Sequence, residues 1–365
     1  MVNGQPGTLS EPLVEVIRGP LVEAIHRGTI AVVDASGVLL ASVGDPRRKV
    51  TYMRSAAKPF QSMPLVLSGA AARFDLAPAD LAMACASHNG EPGHVAQVRS
   101  LLDHLEVDAG QLACGTHPPL LASAAQELDK EGLVPSVLHN NCSGLHAGML
   151  GLAGQLDVPA SGYNLSGHAV QEAIVQNIAR FARLQAADVI LGEDDCAAPC
   201  HAISVYHMAL AYARLMLPEG RFDDETVAAA RTIREVMTGN AWFIGGTGRL
   251  DTDVMEAGAG AIVAKGGASG VQCVGIEGGI GFAFKIEDGA SGPAAPGQPT
   301  AVTTIEVLRQ LGILDQAGSD GLARHARPSL RDRHGHETGF ARPSFDLGDA
   351  PREAVAAVRT NVSTS

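Results

Sequence analysis

Two kinds of hydrophobic spacing divide the chain. Near the start, apolar and polar residues alternate or run in short apolar stretches: VEVIRG (14–19), LVEAIHRG (21–28), then TIAVVD and VLLASVG around ASG (35–37). Alternation sends successive side chains to opposite faces, so these stretches predict strands. The first two fit one edge of a sheet and the last two a hairpin. Past RRKVTYM (47–53) apolar positions recur every three to four residues. That period predicts helices over about 57–70, 78–86, 92–106 and 121–131, then near 143–155, 167–184, 202–216 and 224–238. Strand character returns over 254–287 in AGAIVAK, GVQCVGI and GIGFAFKI. A last helix near 299–313 follows the loop SGPAAPGQP.

Strands at both ends around a helical middle predict an α/β (α+β) fold. Its sheet is mainly antiparallel, built from both chain ends and flanked by helices. On this reading residues 1–345 form a single domain with a largely helical central region, and 346–365 form a polar tail of disordered character.

Composition narrows the partners. Apolar residues make up 46% of the 365, enough for a sizeable core, while aromatics at 4% leave it to small and aliphatic side chains. A net charge of −12 without a Lys/Arg-rich run argues against nucleic acid, because binding there needs positive charge to displace counterions. No apolar run reaches the ~18 residues of a membrane span. The N-terminal MVNGQPGTLSEPLVEV lacks a basic stretch leading into an apolar one, and six cysteines are too dilute for a disulfide scaffold. These features predict a cytoplasmic, reduced protein.

Chemistry enters at Ser55-Ala-Ala-Lys58, the chain's one Ser-x-x-Lys. Only five of its 27 basic residues are lysines, so chance is a poorer explanation than usual. Placed at a helix start, residues three apart share a face and the amine can reach the hydroxyl. Pro59 locates that start, since proline is tolerated in the first turn, where N–H groups have no partner anyway. Free N–H donors and the helix dipole there suit an oxyanion. A lysine acts as a base once burial or a neighbouring cation lowers its pKa from ~10.4; Arg54 or a second lysine supplies that cation. Ser-x-x-Lys hydrolases carry a Ser-Asp-Asn element and a strand Lys-Thr-Gly later in the chain. Here Ser87-His88-Asn89 and Lys265-Gly266-Gly267 follow in that order, with His for Asp and Gly for Thr.

Five segments together resemble the Rhizobium-type L-asparaginases, the asparaginase II family: RSAAKPFQ (54–61), SHNGE (87–91), NCSGLHAG (141–148), GTGRLDT (246–252) and AKGGASGVQ (264–272). The resemblance runs from about residue 12 to 343. It implies a serine β-lactamase/glutaminase-like fold, a homodimer, and hydrolysis of L-asparagine to L-aspartate and ammonia. Two Ser-Lys pairs carry over by motif, Ser55 with Lys58 and Ser87 with Lys265. Lys58 then takes the proton of Ser55 as it attacks the amide, helix N–H groups hold the oxyanion, and water cleaves the aspartyl ester. Which of the two serines is acylated stays open. Arg54 is a candidate for the substrate carboxylate, because a guanidinium binds it bidentately. Asn89 and His146 are further candidates for orienting the substrate.

The family also implies zinc held by two cysteines and a lysine. The cysteines map to Cys142 and to Cys196, in GEDDCAAP; the lysine position holds Leu145, which cannot ligate. The site loses a ligand unless His139, His146 or water replaces it, and two thiolates alone bind zinc weakly. No cofactor is then required, with zinc left open at Cys142 and Cys196. Cys196, Cys200 and His201 form a second cluster of ligand types, while Cys85, Cys114 and Cys273 lie in apolar segments and predict core positions.

Two other function classes compete. His88, Glu91 and His94 offer a metallohydrolase set, although H-x-x-E-x-x-H lacks the i, i+4 pairing that aims two imidazoles at one metal. A catalytically silent ligand-binding or sensor protein of the same fold is the non-enzyme alternative, with the Leu145 change in its favour.

Overall fold

A computed structural model describes residues 8–314, 316–349 and 352–356. The chain divides into two compact units, one of residues 1–56, 203–217 and 257–365, the other of 57–202 and 218–256.

The first unit is built on one antiparallel sheet. Its strands are β1 (Glu11–Arg18), β2 (Leu21–Asp34), β3 (Leu39–Val43), β4 (Ile262–Gly267), β5 (Val271–Ile276), β6 (Ile280–Ile286), β7 (Ser329–Arg331) and β8 (Glu337–Pro343). They lie in the order β7-β8-β1-β2-β6-β5-β4, with β3 also paired to β2. β2 and β6 set the central register, with Ile30 opposite Phe284 and Val32 opposite Phe282. Ile30, Ala31, Val32 and Val33 are buried in succession, so both faces of β2 are covered and its apolar run need not alternate. The helix Val205–Met216 packs on β2, β5 and β6, and the helix Pro299–Gln310 on β1 and β8. The sheet draws strands from both chain ends, the α/β architecture expected from the sequence.

The second unit is mainly helical. Lys58–Leu67, Pro78–Ala84, Pro92–His104, Ser143–Gln155, Ala169–Ala182 and Asp224–Gly239 are its principal helices. A short ladder joins Ile190–Glu193 to Pro199–Ser204, with Leu191 opposite His201. The helix Lys58–Leu67 is buried from Lys58 to Leu65. Pro64 inside it has no N–H for the carbonyl four residues earlier, that of Phe60. Asn177 on the Ala169–Ala182 helix supplies the missing donor, with Nδ2 2.8 Å from Phe60 O. A side chain thus repairs the helix that begins at Lys58.

Several expectations need correction. The stretches VEVIRG and LVEAIHRG are not an edge: β1 and β2 lie inside the sheet, because β8 pairs with β1. The apolar start of the 254–287 region belongs to a helix, Leu250–Ala257, which buries Val254 and Met255. Strand character begins only at Ile262. Strands β7 and β8, inside a segment of Arg, His and Pro, were not expected, nor was the strand preceding Val205. Of the polar tail, residues 352–356 are helical with Val355 buried, and 357–365 lie outside the described residues.

Candidate active site

In the second unit, four groups meet at the amine of Lys58. Lys58 is the first residue of its helix, with Pro59 in the second position where its missing N–H costs nothing. Only 2% of Lys58 is exposed. Its Nζ lies within hydrogen-bonding distance of Ser87 Oγ at 2.8 Å, the carbonyl of Ala86, Asn141 O at 3.4 Å and Cys142 Sγ at 3.1 Å. Ser87 follows the helix Pro78–Ala84 and is fixed by its own N–H, which donates to Ile244 O at 2.9 Å. At 3% exposure it is as closed off as the lysine. Cys142 precedes the helix Ser143–Gln155, and its N–H is held by Asn140 Oδ1 at 2.8 Å.

The thiols of Cys142 and Cys196 are hydrogen-bonded to each other. That bond, followed by the neighbouring Lys58, lowers the pKa of Cys142. The partner thiol of Cys196 is raised, by the same bond and by burial. Leu145 is buried one turn along the helix and brings no ligand. Among the described residues no three His, Cys, Asp or Glu side chains converge on a point that could hold a metal. The donor set is therefore two thiols, one already in contact with the Lys58 amine, which does not fit the four ligands of a closed zinc site. Cys200 and His201 cannot both join them, because neighbours on a strand face opposite sides.

His146 is fully buried, with Nδ1 2.6 Å from Tyr163 Oη and Nε2 without a partner. Burial pushes its pKa down to about 3, so the ring is neutral at physiological pH. Asn89 is committed at both ends of its amide: Nδ2 donates to Thr247 O at 3.0 Å and to Glu91 Oε1 at 3.2 Å, while Oδ1 accepts from Arg249 at 3.1 Å. The metallohydrolase set is not assembled. His88 accepts from Gly90 N through Nδ1 and pairs Nε2 with Ser143 Oγ at 3.0 Å. Glu91 accepts from the N–H and hydroxyl of Thr247. His94 stacks between His88 and Trp242 with Nε2 on Trp242 O. Both rings have lowered pKa values, chiefly from burial, and serve as packing.

In the first unit, Ser55 lies on a 3-10 turn, Arg54–Ala57, just before the chain enters the second unit. Arg54 on that turn has φ +52°, a left-handed conformation uncommon outside glycine and often found at functional sites. Lys265 is fully buried on β4, with Nζ donating to Gly266 O at 2.9 Å. β4 ends at Gly267. A Cβ there would stand 2.4 Å from Met53 O and 3.1 Å from Arg54 Cβ. The last glycine of Lys265-Gly266-Gly267 is thus the residue that lets the lysine strand press against the serine turn.

The family model described as L-asparaginase II matches residues 14–343. The chain belongs to the L-asparaginase II family. No curated protein matches the chain. Among solved structures, a native form of Mglu is 15% identical over 82% of this chain and 68% of its own, with a TM-score of 0.34. In another Mglu structure, determined in 4.3 M NaCl, the match spans 59% of that chain's length, at 15% identity, 82% of this chain and a TM-score of 0.32. A β-lactamase from Mycobacterium bovis, Mb2281c, is 15% identical over 78% of this chain and 94% of its own, with a TM-score of 0.40. In this family member no described helix is long and apolar enough to cross a membrane. Cys85, Cys114 and Cys273 are buried in its core.

Arg249 was not singled out from the sequence. Its signal was the turn GTG before it, whose glycines at 246 and 248 have positive φ and fold the chain back onto the Ser87 segment.

Proposed function

We propose that this chain hydrolyses the side-chain amide of L-asparagine to L-aspartate and ammonia through an acyl-serine. The observation that carries the reading is the 2.8 Å contact between Lys58 Nζ and Ser87 Oγ, buried on both sides. A buried amine touching a hydroxyl is a route for a proton, and amide hydrolysis requires one to travel from nucleophile to leaving nitrogen. In this mechanism Ser55 attacks the amide carbonyl and Lys58, three residues on, takes its proton. Ser87 passes a proton to the departing nitrogen, which leaves as ammonia. Water then cleaves the aspartyl ester, with Ser87 and Lys265 returning the proton. Arg54 supplies positive charge beside the nucleophile. No bond change involves Cys142 or Cys196, so the reaction needs no metal. The enzyme acts in the cytoplasm as a homodimer.

The experiment is ammonia release from L-asparagine and L-glutamine, joined to mass spectrometry of acid-quenched enzyme. The expected result is release from asparagine and an aspartyl adduct on the Ser55 peptide. An adduct on the Ser87 peptide exchanges the roles of the two serines. No release and no adduct with either amide overturns the reading.

A further inference from the structure

Arg249 is an arginine without an acid. It is half-buried just before the helix Leu250–Ala257, and among the described residues its guanidinium makes one hydrogen bond, from Nη1 to Asn89 Oδ1 at 3.1 Å, and no ion pair. Several other arginines are claimed by carboxylates, as in Arg180–Asp223, Arg231–Glu219, Arg309–Glu306 and Arg342–Glu15. Holding a guanidinium partly out of water with most of its donors unused is unfavourable unless a ligand completes them.

The surroundings are built to hold it there. Asn89 can accept from Arg249 because its Nδ2 is turned the other way, onto Thr247 O and Glu91 Oε1. Glu91 is fixed in turn by Thr247 N at 2.8 Å and Thr247 Oγ1 at 2.7 Å. Gly246, at φ +109°, lets the loop close over these groups; a Cβ there would come within 2.5 Å of Glu91 Oε1 and 2.8 Å of Asn89 Nδ2. Two backbone bonds, Ser87 N to Ile244 O and Asn89 N to Gly245 O, strap the arginine's loop to the segment that carries Ser87.

We infer that Arg249 binds the α-carboxylate of the amide substrate through its remaining donors, with Asn89 as its positioning residue. A guanidinium fork matches a carboxylate with two parallel hydrogen bonds, and a fixed one orients an amino-acid amide without touching its reacting end. This inference rests on the proposed amide hydrolysis and names the group by which the substrate is gripped.

The test compares two substrates and two variants. Arg249→Gln keeps a donor for Asn89 Oδ1 and removes the charge; Arg249→Lys keeps the charge and loses the fork. L-asparagine is set beside 3-aminopropanamide, the same amide without the α-carboxylate. In Arg249→Gln, KM for asparagine should rise about 30-fold with kcat nearly unchanged, as loss of a charged hydrogen-bonding pair implies. Constants for 3-aminopropanamide should stay within about twofold of wild type, and Arg249→Lys should fall between. An unchanged KM for asparagine overturns the inference, as does an equal loss on both substrates, which marks a scaffold role. If wild type releases no ammonia from any amide, the proposed function fails by itself. L-Aspartate binding then reads Arg249 directly: a rise in wild-type Tm that Arg249→Gln loses supports it, and an absent or equal rise overturns it.

Discussion

Lys58 Nζ and Ser87 Oγ meet at 2.8 Å although 29 residues separate them, and neither reaches solvent to any useful extent. The lysine is aimed by the first turn of its helix, the serine by a backbone bond to Ile244. Replacing either, as Lys58→Met or Ser87→Ala, should lower kcat for amide hydrolysis by about 10²–10⁴-fold, the range for a positioned proton-transfer group. The double variant should be little worse than the poorer single one, since the pair acts as a unit. Independent, multiplying losses would show that the contact is not a shared proton route.

The sequence disclosed some of this and withheld the rest for physical reasons. Alternation and short apolar runs made β1 to β3 visible, and the apolar three-to-four spacing made the central helices visible. β8 was hidden because a strand written ETGFARP owes its place to pairing with β1, not to its own propensity. At the site, Ser55 and Lys58 are legible as a spacing. The approach of Cys142 to Lys58 is not, because it depends on how the helices Lys58–Leu67 and Ser143–Gln155 pack. Asn89 was legible as a polar residue near Ser87, but its task, holding Arg249, belongs to a loop 160 residues away.

Gly267 should not tolerate a side chain. An Ala there would place Cβ 2.4 Å from Met53 O, and backbone has little room to move. Gly267→Ala should cost roughly 1–3 kcal/mol of stability, the usual range for forced overpacking, with activity falling well beyond the loss of folded protein. Thermal unfolding and kcat on the same preparation would check it. Full activity in a destabilised variant would detach the serine turn from the chemistry.

The repair at Pro64 can be undone. Asn177→Leu removes the donor that serves Phe60 O and leaves a buried carbonyl unpaired, which costs about 1–3 kcal/mol. Urea unfolding should show the loss. The same variant should slow catalysis, since the helix that loses its tie begins at Lys58. An unchanged midpoint would mean that another group satisfies the carbonyl.

Chelation should leave the proposed hydrolysis working. With two thiols and no third ligand at Leu145, EDTA treatment should change kcat by less than twofold, and dialysed protein should hold well under one zinc per chain. Leu145→Lys should raise the bound zinc, measured by elemental analysis, toward one. Stoichiometric zinc in the native protein would refute the two-thiol account.

His201 should make the fold acid-sensitive. Burial pushes its pKa down to about 4, and neither ring nitrogen has a partner. Above its unfolded value, near 6.5, the ring is neutral in both states and costs nothing further. Between about 6.5 and 4 the unfolded chain takes a proton that the folded one refuses, so stability falls as pH falls, by about 1.4 kcal/mol per pH unit. Urea midpoints at several pH values should show this slope in wild type and a shallower one in His201→Leu. Equal slopes would remove His201 as the cause.

The neighbour of β1 is β8, so one of the first strands to be made is completed by one of the last. During synthesis β1 and β2 wait with an open edge until residue 343 has left the ribosome, while the second unit already has all its residues by 256. An unpaired edge is where chains stick to one another. Ribosome stalling or proteolytic clipping ahead of β8 therefore carries a risk of aggregation, because it leaves the edge of β1 unpaired.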